Sequence, residues 1–230
     1  MEKPKENKNC YAFPVQREVL LNLLNHPAIK ESFFLTGGTA LSVFYLYHRV
    51  SDDFDLFSLQ SVDFSEIDYW IRSFWKGTCS KIKQGPDFLS FLIKGTKVDF
   101  VIDALSNKKK RERIKFENDR SLLIDNIDNI ASNKLSCIVS RTEPKDFIDT
   151  YFLFKSYPDL KIEDVYKSAK LKDALFDDPP TAAFQLEEGI SFIKVNPSIM
   201  PELKREVNFE DVISFFEGLI EWMYAKFKVE

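Results

Sequence analysis

Two short stretches of the chain hold residue types suited to phosphate and metal chemistry. They are Gly37-Gly38-Thr39 and Ser51-Asp52-Asp53-Phe54-Asp55-Leu56-Phe57. On a strand, alternate side chains share a face, so Asp53 and Asp55 point together while Phe54 and Leu56 enter the core. Two carboxylates held this close repel each other unless a cation lies between them. Hard divalent cations such as Mg²⁺ take oxygen ligands of this kind, usually a few carboxylates plus substrate phosphates. Upstream, Gly37-Gly38 lets backbone N–H groups approach a phosphate, and the helix predicted to follow offers its positive end. An isolated Asp-x-Asp is more often a solvated strand edge, and a lone Gly-Gly says less still. Their union in one strand–helix–strand unit is what points to chemistry.

A third candidate is Asp99, within Lys97-Val98-Asp99-Phe100-Val101. A carboxylate in mid-strand is costly to bury unpaired, so it must be exposed, paired or at a cation. Asp103 is on the same predicted face and is a rival, but it lies near the expected strand end, where an acidic residue needs no special reason. Further on, Lys134, Ile138, Arg141 and Lys145 recur at helical spacing. Lys134 on its own reads as a solvated lysine, and Leu135, Ile138 and Val139 as core. The run Lys108-Lys109-Lys110-Arg111-Glu112-Arg113-Ile114-Lys115 has six cations, suited either to a solvated loop or to a nucleic-acid backbone.

The elements that must position these residues follow from the apolar pattern. Helical spacing covers 15–24, 39–47 and 65–75, the last with Ser65 as its expected cap. Strands are expected at 32–35, 54–59, 78–83, 88–94 and 97–102, the last two joined as a hairpin through Lys94-Gly95-Thr96. Beyond residue 120 strand-like alternation ends, and helices are expected at 127–140, 144–155, 162–169, 182–193 and 209–227. The expected organisation is a disordered tail over 1–9, an α/β domain over 10–118 and a helical domain over 119–230.

Composition narrows the function classes. The 230 residues carry 32 basic and 36 acidic side chains, a net charge of −4, which argues against an all-over cationic coat. Three cysteines, Cys10, Cys79 and Cys137, fit neither a disulfide framework nor a zinc site. Two histidines leave little material for a histidine-rich metal site or a Ser-His-Asp hydrolase. No apolar run reaches membrane-spanning length and no signal peptide is evident, so a cytoplasmic protein is expected. A P-loop motif is absent from the sequence. The 22 phenylalanines must mostly be buried, whereas only 7 glycines are present and two of them are adjacent at Gly37-Gly38.

The Gly-Gly-Thr-Ala-Leu element, the stretch His48-Arg49-x-Ser51-x-Asp53-x-Asp55-Leu56-Phe57 and the later Asp99 resemble the AbiEii/AbiGii-type nucleotidyltransferase toxin family, within the DNA polymerase β-like nucleotidyltransferase superfamily. A second block, from Lys134 through Arg141 to Lys145-Asp146-Phe147-Ile148-Asp149, resembles that family's helical signature. The resemblance lies within residues 33–155.

It implies an α+β fold: a polymerase-β-like mixed sheet with flanking helices, followed by a helical C-terminal domain. It implies that Asp53, Asp55 and Asp99 hold Mg²⁺ in a two-ion site, with Asp99 helping to deprotonate the attacking hydroxyl. Gly37, Gly38, Thr39 and Ser51 are implied to bind the nucleotide, with Gly38 and Thr39 at the β- and γ-phosphates. Lys134 would neutralise triphosphate charge, joined by Arg141, and Asp146, with Asp149 the weaker match to the family's acidic position, would orient Lys134 or Arg141 or act more directly in catalysis. The implied reaction is transfer of a nucleoside monophosphate from an NTP to an acceptor, with tRNA or another RNA the suggested acceptor class and a protein acceptor the other option. The resemblance implies a toxin–antitoxin or phage-defence setting, in which an antitoxin protein is a candidate partner. The alternative is an inactive nucleotide- or partner-binding protein of the same fold. The intact acidic trio favours the enzyme.

Overall fold

The computed structural model describes residues 3–196 and 199–227. The chain divides into two units, Met1–Asn126 and Ile127–Glu230. The first unit holds strands β1 (Phe34–Thr36), β2 (Asp53–Ser58), β3 (Cys79–Gln84), β4 (Phe88–Ile93), β5 (Thr96–Ile102), β6 (Glu112–Lys115) and β7 (Ser121–Ile124). Among the described residues these form one mixed sheet in the order β3-β4-β5-β2-β1-β7-β6. β2 runs parallel to β5 and antiparallel to β1, while β1 runs parallel to β7. The α+β class and the mixed sheet are as expected.

Period-two patterning sorts the central strands. Leu89 and Phe91 of β4, Val98 and Phe100 of β5, and Phe54 and Leu56 of β2 are neighbours in register and are fully buried. Each such side chain removed from water contributes about 1.5–3 kcal/mol. A slip of one residue would turn the whole set to the other face, so the register is tightly specified. That other face carries a polar row, Ser90, Asp99, Asp55 and Thr36, across β4, β5, β2 and β1.

The first unit also contains helices α1 (Pro14–Leu23), α2 (Pro27–Ser32), α3 (Gly37–Thr39) and α4 (Phe64–Phe74). Pro27 opens α2 rather than merely ending α1, because a first helical turn has no use for the missing N–H. The strand expected at 32–35 therefore starts later, at Phe34. α3 passes straight into a π-helix, Ala40–Leu46, which ends at Tyr47 in the left-handed region with φ 54°. The cap of α4 is Asp63, whose carboxylate accepts from Ser65 N–H at 2.8 Å, so Ser65 is the capped residue and not the cap.

Two expected boundaries move. Met1 and Glu2 lie outside the described residues, but residues 3–9 are held rather than loose. Lys5 N–H donates to Phe44 O at 2.9 Å and Asn7 N–H to Val43 O at 2.8 Å, both on the π-helix. Arg17 ties this segment down further through two hydrogen bonds to Glu6. The sheet unit also continues past residue 118. Leu122 and Ile124 of β7 are fully buried, and Leu123 and Ile124 pair with Phe34 and Leu35.

The second unit contains α5 (Ile127–Ser140), α6 (Pro144–Ser156), α7 (Ile162–Lys170), α8 (Pro179–Val195) and α9 (Phe209–Phe227). Its core includes Phe147, Phe152, Phe176 and Phe216, all at or near zero exposure, so these phenylalanines are packing, as their number suggested. Among the described residues, no helix is long and apolar enough to cross a membrane.

Candidate active site

The strand register brings two of the three predicted carboxylates face to face. Asp55 of β2 is the partner of Asp99 of β5, and Asp53 is the partner of Lys97. Paired residues share a face, so three carboxylates and one ammonium occupy adjoining corners of the same patch. Asp99 is nearly buried and accepts from Ser90 Oγ at 2.5 Å. Its second oxygen is ion-paired with Lys97 Nζ at 2.6 Å. Burial alone would lower the Lys97 pKa. The hydrogen bond to Asp99 and the charges of Asp99, Asp55 and Asp53 outweigh it, and the ammonium is held above its ordinary value. Lys97 was not among the predicted site residues, although its position two before Asp99 was signal enough to place it on that face.

Asp103, the rival to Asp99, lies just past the end of β5 at Ile102. Its carboxylate accepts from Leu105 N–H, Ser106 N–H and Ser106 Oγ, and so is committed to a local turn.

The glycine pair stands against this patch. Gly37 has φ +67°, and a Cβ built on it would meet Asp55 Oδ2 at 2.0 Å. Glycine is thus required twice over, for the backbone conformation and for the approach of the carboxylate. A Cβ on Gly38 would meet Arg49 Nη2 at 2.4 Å and Ser51 Oγ at 3.3 Å. Thr39 Oγ1 is hydrogen-bonded to Ser51 Oγ at 2.8 Å and donates to Asp53 O. Thr39 and Ser51 are both buried. Their hydroxyls join the glycine turn to the start of β2, which suits them to hold the loop's shape. Ser51 is anchored in turn, with its N–H donating to Cys10 O at 3.0 Å and its O accepting from Gln16 Nε2 at 2.9 Å.

Sequence reasoning also missed Asp125, which follows β7 and is fully buried. It accepts from Thr36 Oγ1 at 2.7 Å, directly before the glycine turn, and is ion-paired with Arg111 Nε at 2.9 Å. The Arg111 guanidinium lies 3.8 Å over the Phe34 ring. One member of the basic run is therefore an interior group that braces β1. Lys108, Lys109, Lys110, Arg113 and Lys115 remain exposed.

Among the described residues, no group of three or more His, Cys, Asp or Glu side chains is gathered closely enough to hold a metal ion unaided. The donors present still fit Mg²⁺. They are hard carboxylate oxygens on rigid neighbouring strands, and Mg²⁺ is usually bound by one or two carboxylates with phosphate oxygens and water completing its shell. Asp55 and Asp99 are the two carboxylates that the strand register pairs there.

In the helical unit, Lys134 Nζ lies 2.6 Å from Asp146 Oδ1 and 2.6 Å from Asp149 Oδ2. Both carboxylates are fully buried and Lys134 nearly so. The other oxygen of Asp146 pairs with Arg141 Nε and Nη2 at 3.0 Å. α5 and α6 thus bring Lys134, Arg141, Asp146 and Asp149 into one cluster, with Asp146 bridging the two cations. The Arg141 side chain is 48% exposed, so it is the member that faces solvent.

Comparison with known proteins identifies the family and the fold. The family described as nucleotidyl transferase AbiEii toxin, Type IV TA system, matches residues 18–211. An uncharacterized protein of Aquifex aeolicus strain VF5 is 30% identical over 223 residues, covering 93% of this chain and 94% of that one. The structure of JHP933 from Helicobacter pylori is similar in fold, with TM-score 0.56, 16% identity, and coverage of 97% of this chain and 95% of that one. The antibiotic-resistance factor ANT(2'')-Ia is also similar in fold, with TM-score 0.51, 12% identity, and coverage of 69% and 91%.

Proposed function

The chain belongs to the AbiEii nucleotidyl transferase toxin family, and from that premise we propose that it moves a nucleoside monophosphate from an NTP to an RNA acceptor in a divalent-metal-dependent reaction. The observation that carries the reading is the Asp55–Asp99 register pair set against the glycine turn at Gly37. Bare backbone and a pair of carboxylates thus adjoin on one sheet face, which supports a phosphate-binding turn beside a metal-binding pair.

Asp55 and Asp99, with Asp53 one row away, would hold Mg²⁺. Bound there, the ion would neutralise the triphosphate and stabilise the departing pyrophosphate. The chain's own residues do the rest. Gly38 and Thr39 open a helical segment, whose first N–H groups lack intrahelical partners and suit the β- and γ-phosphate oxygens. Ser51 and Thr39 keep that turn in place. Asp99 takes the proton of the attacking hydroxyl. Lys134 and Asp146 act as positioning residues for Arg141, whose half-exposed guanidinium can contact an anionic ligand.

Exposed cations in the run from Lys108 to Lys115 favour a polyanionic acceptor, and we take tRNA as its class. The family's description supports a toxin role with an antitoxin as partner. Each labelled NTP, incubated with the protein, Mg²⁺ and total tRNA, tests this reading. Label should enter tRNA with one NTP preferred, and EDTA should abolish it. No incorporation with any NTP would refute the reading.

A further inference from the structure

We propose that Lys97 is a built-in counter-ion of the carboxylate patch, which divalent metal must displace from Asp99 before it can bind. The proposal rests on the metal-site reading given above and extends it to a residue with no assigned role.

Three observations carry it. Lys97 shares the sheet face of Asp53, Asp55 and Asp99, because Asp53 pairs with Lys97 and Asp55 with Asp99. Its ammonium lies 2.6 Å from Asp99 Oδ2, the oxygen that Ser90 leaves available. Its side chain is 49% exposed, so it can leave Asp99 for water without opening the core.

The reason for such a lysine is electrostatic. Three carboxylates share one face of two neighbouring strands, and like charges on paired strands repel. A tethered ammonium offsets that repulsion, and divalent metal then competes with it for the same oxygen. The arrangement makes metal binding an exchange of one cation for another, and it weakens binding of metal alone. A metal arriving with the triphosphate brings phosphate oxygens that favour the exchange.

The experiment is a titration of the full-length protein with Mn²⁺ alone, following free Mn²⁺ by its EPR signal, for wild type, Lys97→Met, Lys97→Arg and Asp55→Asn. Lys97→Met should bind Mn²⁺ roughly fivefold more tightly, the upper range for relief of a half-exposed ion pair. Lys97→Arg keeps the charge and should bind like wild type. In thermal melts without metal, Lys97→Met should unfold at lower temperature than wild type, and saturating Mn²⁺ should close the gap. Binding that is lost in Asp55→Asn but equal in Lys97→Met and wild type overturns the role of Lys97 while leaving the metal site intact. Binding that is unchanged in Asp55→Asn overturns the site and the role of Lys97 with it.

Discussion

Asp55 and Asp99 are register partners on parallel strands β2 and β5, and the bare backbone of Gly37 lies against Asp55. Residues from three separate stretches of chain meet there because the sheet order interleaves β5, β2 and β1. The pair and the turn should behave as one unit under mutation.

Gly37 and Gly38 should respond differently to alanine. At Gly37 the new Cβ would have a left-handed backbone and a carboxylate oxygen 2.0 Å away. Gly37→Ala should cost about 1–3 kcal/mol in urea unfolding and displace Asp55, lowering nucleotide transfer as well. At Gly38 the obstacle is the end of the Arg49 side chain, which can shift. Gly38→Ala should therefore destabilise less. Equal losses at the two positions would contradict this ranking.

Removal of Lys134 leaves Asp146 and Asp149 buried without their shared ammonium. Lys134→Met should cost about 3–5 kcal/mol, the scale for breaking a buried ion pair. Lys134→Met combined with Asp146→Asn and Asp149→Asn should be more stable than Lys134→Met alone. Denaturant midpoints of the two proteins check it.

The basic run should split into two kinds of residue. Replacing Lys108, Lys109 and Lys110 by serine should leave unfolding unchanged and weaken tRNA binding. The slope of log affinity against log salt should flatten by about 0.7–0.9 for each phosphate that these lysines no longer neutralise. Arg111→Ala should instead cost about 3–5 kcal/mol of stability, because its guanidinium is 7% exposed and paired with the buried Asp125. Filter binding at several salt concentrations and thermal unfolding separate these effects.

Glu117 supplies a pH signature in the sheet unit. Its hydrogen bonds to Arg17 hold its pKa at about 2, below the ordinary 4.5. A depressed carboxylate contributes its stability above the unfolded value and loses it as pH falls through the folded one. The contribution should therefore be complete above pH 4.5 and fade as pH falls from there toward about 2. Glu117→Gln should remove this part of the acid sensitivity, seen as a flatter unfolding midpoint across that window.

Much of the site was legible in the sequence because it obeys short-range periodicities. Alternation over 53–56 placed Asp53 and Asp55 on one face and Phe54 and Leu56 on the other, and both apolar residues are buried. The energetic case for a paired Asp99 led to the residue that Ser90 and Lys97 hold. What escaped depends on long-range partners. β6, Glu112–Lys115, is a charged edge strand, indistinguishable by composition from a solvated loop. Asp125 looks like an ordinary loop carboxylate until Thr36 and Arg111 meet it across the sheet. The segment at 3–9 looks loose because its acceptors are carbonyls of a π-helix that local helical spacing does not distinguish from an α-helix.

Nucleotidyl transfer at the Asp55–Asp99 pair is open to a paired labelling experiment. Wild type and Asp55→Asn are incubated with Mg²⁺, total tRNA and the preferred NTP labelled at either the α- or the γ-phosphate. Wild type should place the α-label on tRNA and release the γ-label in pyrophosphate, and Asp55→Asn should lose roughly 10²-fold or more of this rate, the scale of losing a preorganised charge-stabilising group. Transfer of the γ-label would rule out nucleotidyl transfer, and full α-label transfer by Asp55→Asn would rule out this site.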